Sequence, residues 1–450
     1  MNYDIFHAYD IRGVYPSEIN EEACFKIAKA YAAYFKPQTV AVGMDARLSS
    51  PALKENVVNA LLESGVDVVD IGGVTTDMIY FAVGAYNYSG GIIVSASHNP
   101  GKYNGLKMVR EQATAISSDT GLFQLRDALK ENRVDFKPGP KRGNVTQKEI
   151  LDDYIRHVLG FVDVAAIRGH SFRFVGNGNF GFVGQSVHRI VEELGLTMIP
   201  LNFTPDGSFP KGSPDPMLPE NRKETSELVK SSNADFGVAW DADADRVMFF
   251  DEKGEFISGA YTGALLARIL IGKHGKSTII CDPRVTWPMK QIMKETGGTA
   301  FVWKCGHTFM KDKMRELNAL FASEMSAHYY FRDNYYADNG IIPFLLILEH
   351  LALQGKKLSE ILKPFAVGHF MSGEVNYRVK DVPSIIEKIR EQYKNEAMDD
   401  LDGLSVESAE WRFNLRPSNT EPLLRLNVEA RNDESVRALI KEIETIINAS

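Results

Sequence analysis

Four stretches of the chain concentrate side chains able to do chemistry. In Val94-Ser95-Ala96-Ser97-His98-Asn99-Pro100, an apolar strand that includes Gly91-Ile92-Ile93 runs into a turn that proline stops from continuing as strand. The turn is expected to leave Ser97 exposed, with His98 and Asn99 beside it and Lys107 able to fold back toward it. An ordinary polar turn has the same composition, so this stretch carries little by itself. Asp241-Ala242-Asp243-Ala244-Asp245-Arg246 says more. Three carboxylates at alternate positions raise one another's pKa unless a cation lies among them, and hard oxygen ligands on a short backbone suit Mg2+ or Ca2+. Arg416-Pro417-Ser418-Asn419-Thr420-Glu421-Pro422, with Arg425 just beyond, puts guanidinium, hydroxyl, amide and backbone N–H donors into one tight turn. Those groups bind phosphate, and arginine can do so bidentately. Ser323-Glu324-Met325-Ser326-Ala327-His328 sends Glu324, Ser326 and His328 toward one side of an extended segment, where a carboxylate can accept from sugar hydroxyls. A surface strand reads the same way. His307 is a further polar candidate in that region.

The acidic loop has other readings. Aspartates at positions one, three and five, with Glu252 at position twelve, match an EF-hand, but Arg246 stands where that loop needs glycine and strands rather than helices flank it. A haloacid-dehalogenase-type site would place a nucleophilic aspartate just after a strand, as Asp241 is placed. A solvated acidic turn is the plainest alternative. A metal site accounts best for the density of charge.

The elements that must position these residues come from a unit that occurs three times. Thr39-Val40-Ala41-Val42, the loop Gly43-Met44-Asp45-Ala46-Arg47, a helix with Leu53, Val57, Leu61 and Leu62, and the strand Val66 to Ile71 form the first copy. Phe172 to Val175, the loop Gly176-Asn177-Gly178-Asn179, a helix with Val183, Val187, Ile190, Val191 and Leu194, and Thr197 to Leu201 form the second. Thr278 to Ile280, the loop Cys281-Asp282-Pro283-Arg284, a helix around Met289, Ile292 and Met293, and Ala300 to Trp303 form the third. Spacings of three and four between β-branched runs mark βαβ units, which build mixed or parallel sheets covered by helices. The remainder differs: strands at Val375–Val379, Trp411–Leu415 and Leu423–Val428, then a helix with Val436, Leu439, Ile440, Ile443, Ile446 and Ile447 on one face. The expected organisation is three similar α/β domains, at 1–143, 144–253 and 254–367, and a C-terminal α+β domain at 368–450, with boundaries in turn-rich stretches.

A length of 450 residues needs several cores, and 44% hydrophobic with 24% charged residues is a globular composition. The net charge of −8 argues against nucleic-acid binding, so an anionic ligand requires a local cation cluster of the kind around Arg416. Cys24, Cys281 and Cys305 lack metal-ligand spacing and read as reduced thiols. With no leader-like start and no long apolar run, a cytoplasmic protein is expected, without membrane or nucleic-acid partners. Nothing in the sequence reads out an oligomeric state.

Together and in this order, the four motifs resemble the α-D-phosphohexomutase superfamily over essentially the whole chain. The family's serine loop reads Thr-Ala-Ser-His-Asn-Pro, with Ser95 here in place of threonine; its metal loop reads Asp-Gly-Asp-Gly-Asp-Arg, with Ala242 and Ala244 here as spacers. Its sugar loop Gly-Glu-Met-Ser-Gly-His is altered at Ser323 and Ala327, and its phosphate loop is intact. Ala8-Tyr9-Asp10-Ile11-Arg12-Gly13 looks like the family's opening active-site segment. Asp282-Pro283-Arg284, Ser326 to Asp333 and Thr204 to Pro210 look most like the bacterial phosphomannomutase branch.

The resemblance implies four domains around one central cleft, with Ser97 as phosphoryl carrier completing a Mg2+ shell made by Asp241, Asp243 and Asp245. Arg12, Arg246 and Lys107 would surround the transferring group. His98, His307, His328 and Lys107 are the acid–base candidates. Tyr9, Arg284, Glu324, Ser326 and His328 would meet the sugar, and Arg416, Ser418, Asn419, Thr420 and Arg425 would hold the distal phosphate. The implied reaction is isomerisation of mannose 6-phosphate and mannose 1-phosphate through a hexose 1,6-bisphosphate, which also serves as activator. Glucose or glucosamine phosphates could use the same machinery, and a non-catalytic sugar-phosphate-binding protein could retain it.

Overall fold

The computed structural model describes residues 1–379, 381–417 and 423–448, arranged as α/β and α+β layers in two compact units. One unit comprises Met1–Ile257, Gly306–Arg315 and His328–Leu358; the other comprises Ser258–Cys305, Glu316–Ala327 and Ser359–Ser450.

In the first unit, the initial βαβ copy forms as its pattern predicts. The strand Thr39–Met44 pairs in parallel with Asp67–Gly73 and with Gly90–Val94, and Tyr103–Arg110 and Ile11–Val14 extend the sheet antiparallel. Val145–Gln147 adds a parallel strand beside Asp67–Gly73. The central strands are buried on both faces, which is why Val40-Ala41-Val42 and Gly91-Ile92-Ile93 are unbroken apolar runs. The helix Ser50–Glu63 starts with Pro51 in its first turn and buries Leu53, Val57 and Leu61, one residue per turn. Asn20 caps the helix Glu21–Phe35 by accepting from the Ala23 N–H at 3.0 Å.

The second sheet centres on Phe236–Trp240, parallel to Arg173–Asn177 and antiparallel to Val247–Phe250. The helix Ile341–Gln354, which follows the third βαβ unit in the chain, belongs to the same compact unit and packs its Phe344 ring 5.1 Å from Phe174 and 5.6 Å from Trp240. Edge-to-face and tilted ring pairs of this kind add to the burial free energy.

In the second unit, Thr278–Cys281 lies between Thr299–Val302 and Phe321–Ser323, all parallel, with Gly259–His274 and Trp287–Thr296 as helices. The C-terminal sheet runs in the order Phe370–Arg378, Leu423–Ala430, Trp411–Pro417, Leu404–Glu407, Ala397–Asp399 and is antiparallel throughout. Its inner face (Val406, Phe413, Leu415, Leu426, Val428) meets Ile385 and Ile389 of one helix and Leu439 and Ile443 of the last. Cys24, Cys281 and Cys305 are free thiols. Among the described residues no helix is long and apolar enough to cross a membrane.

Candidate active site

The serine loop begins where Gly90–Val94 ends. Ser95 donates its N–H to the Gly105 carbonyl, and its hydroxyl accepts from the Ser97 N–H, both at 3.0 Å. Ser97 itself lies in the left-handed region at φ 51°. That region costs a non-glycine residue roughly 1–2 kcal/mol and must be held by its surroundings. Arg47 does the holding. Its guanidinium donates to the carbonyls of Ser97 (2.6 Å), Asn99 (2.7 Å), Pro100 (2.8 Å) and Tyr103 (3.0 Å), and its Nε to Asp45 (2.9 Å). These contacts draw the loop inward, so Ser97 is only 3% exposed and not the exposed hydroxyl the turn composition suggests. Its Oγ lies 3.1 Å from His98 Nδ1. Partial burial, then the charges of Arg246 and Arg12, holds the His98 imidazole well below its ordinary pKa and so keeps it neutral.

The acidic loop joins Phe236–Trp240 to Val247–Phe250, with Trp240 paired to Val247 across it. Asp241, Asp243 and Asp245 are all buried and present ligand atoms within 4.8 Å of one another. Ala244 takes φ 54°, so the left-handed step the loop needs is made by alanine rather than glycine. Backbone crowding holds it there. A side chain on Gly181 would meet the Ala242 carbonyl at 2.0 Å, and one on Gly340 the Ala244 carbonyl at 2.5 Å.

The hydrogen-bond partners of Lys107 lie on the acidic loop. From Tyr103–Arg110 it reaches the acidic loop, donating to Asp243 Oδ2 at 2.7 Å and Asp245 Oδ2 at 2.6 Å. Burial opposes its charge, but the two carboxylates outweigh burial and hold its pKa well above the ordinary lysine value. Arg246 pairs with Asp241 at 2.8 Å and reaches Asp215 at 3.4 Å. Burial drives Asp241 well above the usual carboxylate range despite Arg246, with Asp245 and Asp243 adding to the rise. Asp245 goes the other way: burial is outweighed by Lys107 and His328. Among the described residues, the buried Asp243 Oδ1 has no hydrogen-bond partner. Three clustered carboxylates, opposed by Lys107 and Arg246 and retaining an unbonded oxygen, fit a hard divalent cation.

Arg12 donates to Asn99 Oδ1 at 2.5 Å, tying the opening segment to the serine loop. The Tyr9 ring meets His307 edge-on at 5.7 Å. His307 opens the helix His307–Leu317, with Lys311 Nζ 3.2 Å from its Nδ1; burial and Lys311 hold its pKa well down. His328 Nε2 stands 3.5 Å from Asp245 Oδ1. Tyr9, Arg12, Ser97, His98, Lys107, Asp241, Asp243, Asp245, Arg246, His307 and His328 therefore all belong to the first compact unit.

In the second unit, Arg284 N–H and guanidinium both bond Asp282, at 2.8 and 2.7 Å, and the guanidinium approaches Ser326 Oγ at 3.4 Å and Glu324 at 3.6 Å. Asp282 also accepts from the Met325 N–H at 2.6 Å, so one aspartate fixes both the arginine and the sugar-loop candidates. Arg416 and Arg425 face each other across paired strands, and Glu374 lies 3.3 Å from each. Ser418, Asn419 and Thr420 lie outside the described residues.

Sequence reasoning missed Arg47, Lys311 and Glu374 as partners of the candidate residues. The signal for Arg47 was available: Asp45-Ala46-Arg47 repeats the spacing of Asp282-Pro283-Arg284 at the same point of the βαβ unit. Lys311 stands four residues after His307 on one helix face. Glu374 had no local signal.

Three α/β sheets and a small antiparallel domain, carrying a buried serine in the left-handed region and a loop of three aspartates able to hold a cation, define the class as a multidomain α/β protein. Models described as phosphoglucomutase/phosphomannomutase alpha/beta/alpha domains I, II and III and C-terminal domain match residues 4–133, 152–254, 258–366 and 374–446, and the chain belongs to this family. It is 43% identical to a phosphomannomutase of Salmonella montevideo, covering 100% of both chains. It is 42% identical to a protein of Xanthomonas campestris named for phosphohexose mutases, over 97% of each. Among solved structures, a phosphoglucomutase/phosphomannomutase family protein of Burkholderia thailandensis superposes with a TM-score of 0.89 at 29% identity, covering 100% of this chain and 98% of that one.

Proposed function

We propose that this chain is a phosphomannomutase, an isomerase that interconverts mannose 6-phosphate and mannose 1-phosphate through phospho-Ser97 and a hexose 1,6-bisphosphate. The observation that carries the reading is the strained, Arg47-held Ser97 together with an acidic loop of three buried carboxylates bonded by Lys107, in a chain 43% identical to a phosphomannomutase over its full length.

In the first half-reaction the phosphorus–Oγ bond of Ser97 breaks, a new bond to a sugar hydroxyl oxygen forms, that hydroxyl's proton passes to a base, and Ser97 Oγ takes up a proton as it leaves, so that the free serine hydroxyl is restored. The second half-reaction returns the other phosphate to Ser97. His98, at 3.1 Å from Ser97 Oγ, is supported by that distance as the acid–base candidate at that oxygen. His307 is held neutral, whereas Lys107 keeps its proton and serves as fixed positive charge. Arg12 and Arg246 position the transferring group. Mg2+, held by Asp241, Asp243 and Asp245 with the Ser97 phosphate, would neutralise charge on the phosphoryl oxygens. Arg284, Glu324 and Ser326, with Tyr9 and His328, bind the sugar. Arg416, Ser418, Asn419, Thr420 and Arg425 hold the phosphate that is not reacting.

The four-domain division at 143, 253 and 367, the cytoplasmic location, the small-molecule hexose phosphate partner and activation by bisphosphate are parts of the same proposal. The name of the Xanthomonas relative favours a second reading, a broader phosphohexose mutase that also serves glucose phosphates. A coupled assay comparing mannose 1-phosphate with glucose 1-phosphate, with and without chelator, decides between them. Activity on neither sugar with Mg2+ and bisphosphate present, and no phosphate on Ser97 by mass spectrometry, would overturn the mutase reading.

A further inference from the structure

Thr76, at the first turn of the helix Thr76–Ala85, contacts the acidic loop at two points. Its N–H donates to the Asp243 carbonyl at 2.9 Å, and its hydroxyl donates to Asp243 Oδ2 at 2.6 Å. The N–H is one of those a helix start leaves without an intrahelical acceptor, so the loop carbonyl completes the helix as the helix fixes the loop. Asp243 Oδ2 then has two donors, Thr76 Oγ1 and Lys107 Nζ, while Oδ1 has no hydrogen-bond partner among the described residues. Two donors on one oxygen fix the carboxylate plane and determine which oxygen remains for a cation.

The helix start is itself anchored. The Asp77 carboxylate accepts from the Thr75 hydroxyl, the Tyr154 hydroxyl and, at 2.8 Å, the Asn339 amide. Asn339 caps the helix Ile341–Gln354 through the N–H groups of Ile341 and Ile342 at 2.7 and 2.8 Å. The next residue, Gly340, donates its N–H to the Ala244 carbonyl at 3.1 Å. The acidic loop is thus gripped at Asp243 by Thr76 and at Ala244 by Gly340, and the buried Asp77–Tyr154–Asn339 cluster joins the two grips.

We propose that Thr76 is a positioning residue for the metal: its hydroxyl, backed by this cluster, turns Asp243 so that Oδ1 is the oxygen offered to the cation. The inference rests on the metal reading above, and the experiment separates the two. Mn2+ binding is measured on the intact protein by electron paramagnetic resonance, without substrate, for wild type, Thr76→Val and Thr76→Ser, with melting temperatures taken in chelator. Outer-shell partners of metal ligands are worth roughly 10–100-fold in metal affinity, so Thr76→Val is expected to weaken Mn2+ binding by about 10-fold or more, while Thr76→Ser stays within about 2-fold of wild type. Thr76→Ala, which cannot clash, is read in the same way should the valine variant not fold. Wild type that binds no Mn2+ at this loop would sink the metal reading itself. Wild type that binds, with Thr76→Val and Thr76→Ala binding as tightly, would overturn only the role of Thr76, as would an equal loss in Thr76→Ser.

Discussion

The turns Asp45-Ala46-Arg47 and Asp282-Pro283-Arg284 end the first strands of two βαβ units and begin from the same chemistry. In each, the aspartate accepts from the arginine's own N–H, at 3.1 and 2.8 Å, and from its guanidinium, at 2.9 and 2.7 Å. Their outer partners differ. Arg47 is 1% exposed and spends its remaining donors on four carbonyls of the serine loop. Arg284 has only the longer approaches to Ser326 and Glu324, and its Nε is buried with no hydrogen-bond partner among the described residues. One copy of the device is saturated by its own chain and shapes a backbone; the other retains donor capacity for something else. A repeated local motif therefore carries no fixed role, because its function lies in which acceptors the surrounding fold supplies.

The largest expected effect breaks the saturated copy. Arg47→Ala leaves the loop carbonyls and the buried Asp45 without their donor, which costs roughly 3–5 kcal/mol. The first unit should unfold at markedly lower denaturant, with Ser97 no longer phosphorylated by added bisphosphate. A variant with wild-type stability would erase the distinction between the two turns. Next comes the pair of conservative exchanges. Arg284→Lys is expected to raise KM by about 10-fold with a melt near that of wild type, whereas Arg47→Lys should lower the melting temperature, since lysine cannot reproduce the fork. Similar kinetics and melts for both would show that the two turns share one role.

Arg416 tests whether unsaturated arginines act on substrate rather than on the carrier. Arg416→Ala should raise KM by about 10-fold or more yet leave phosphorylation of Ser97 by bisphosphate largely intact, since on the proposed function it removes one charge-assisted contact to substrate. Loss of both would assign Arg416 a structural task.

The smallest effect sharpens what an arginine partner does for a buried carboxylate. Arg284 outweighs burial and holds Asp282 below the ordinary carboxylate range, so its contribution to stability is present above that range and is lost as pH falls through the lowered pKa. Asp77 has only neutral donors, and burial pushes it from 3.8 up to about 7. Its folded form holds the proton more tightly than the unfolded chain does. Its contribution is therefore complete below about 3.8 and is lost as pH rises through about 7. Asp77→Asn should accordingly gain stability over wild type between pH 5 and 8, by roughly 4 kcal/mol at most on a shift of this size. Thermal melts at both pH values read the difference, and a gap that does not widen with pH would show that Asp77 is already ionised in the folded protein.

Much of this was legible in the residues. The βαβ units follow from runs such as Thr39-Val40-Ala41-Val42 and from Leu53, Val57 and Leu61 at helical spacing, which are local patterns that a covered sheet and a half-buried helix impose. The aspartate triplet is equally local, because one loop carries all three carboxylates. Other features were not. Ser97 reads as an exposed turn residue until Arg47, fifty positions away, gathers its loop inward. Nothing in the spacing of Lys107 names Asp243 and Asp245 as its partners; the sheet brings it to them.

The sequence by itself determined the element types, the three-fold repetition, the acidic loop and the family. Each is set by residue periodicity or by groups only a few positions apart. Tertiary structure alone decided which charge meets which: Lys107 on Asp243 across 136 residues, Thr76 on the same carboxylate across 167, and Arg47 rather than water on the serine loop. Such pairings depend on the packing of separate elements, and packing leaves no period in the chain for a reader to find.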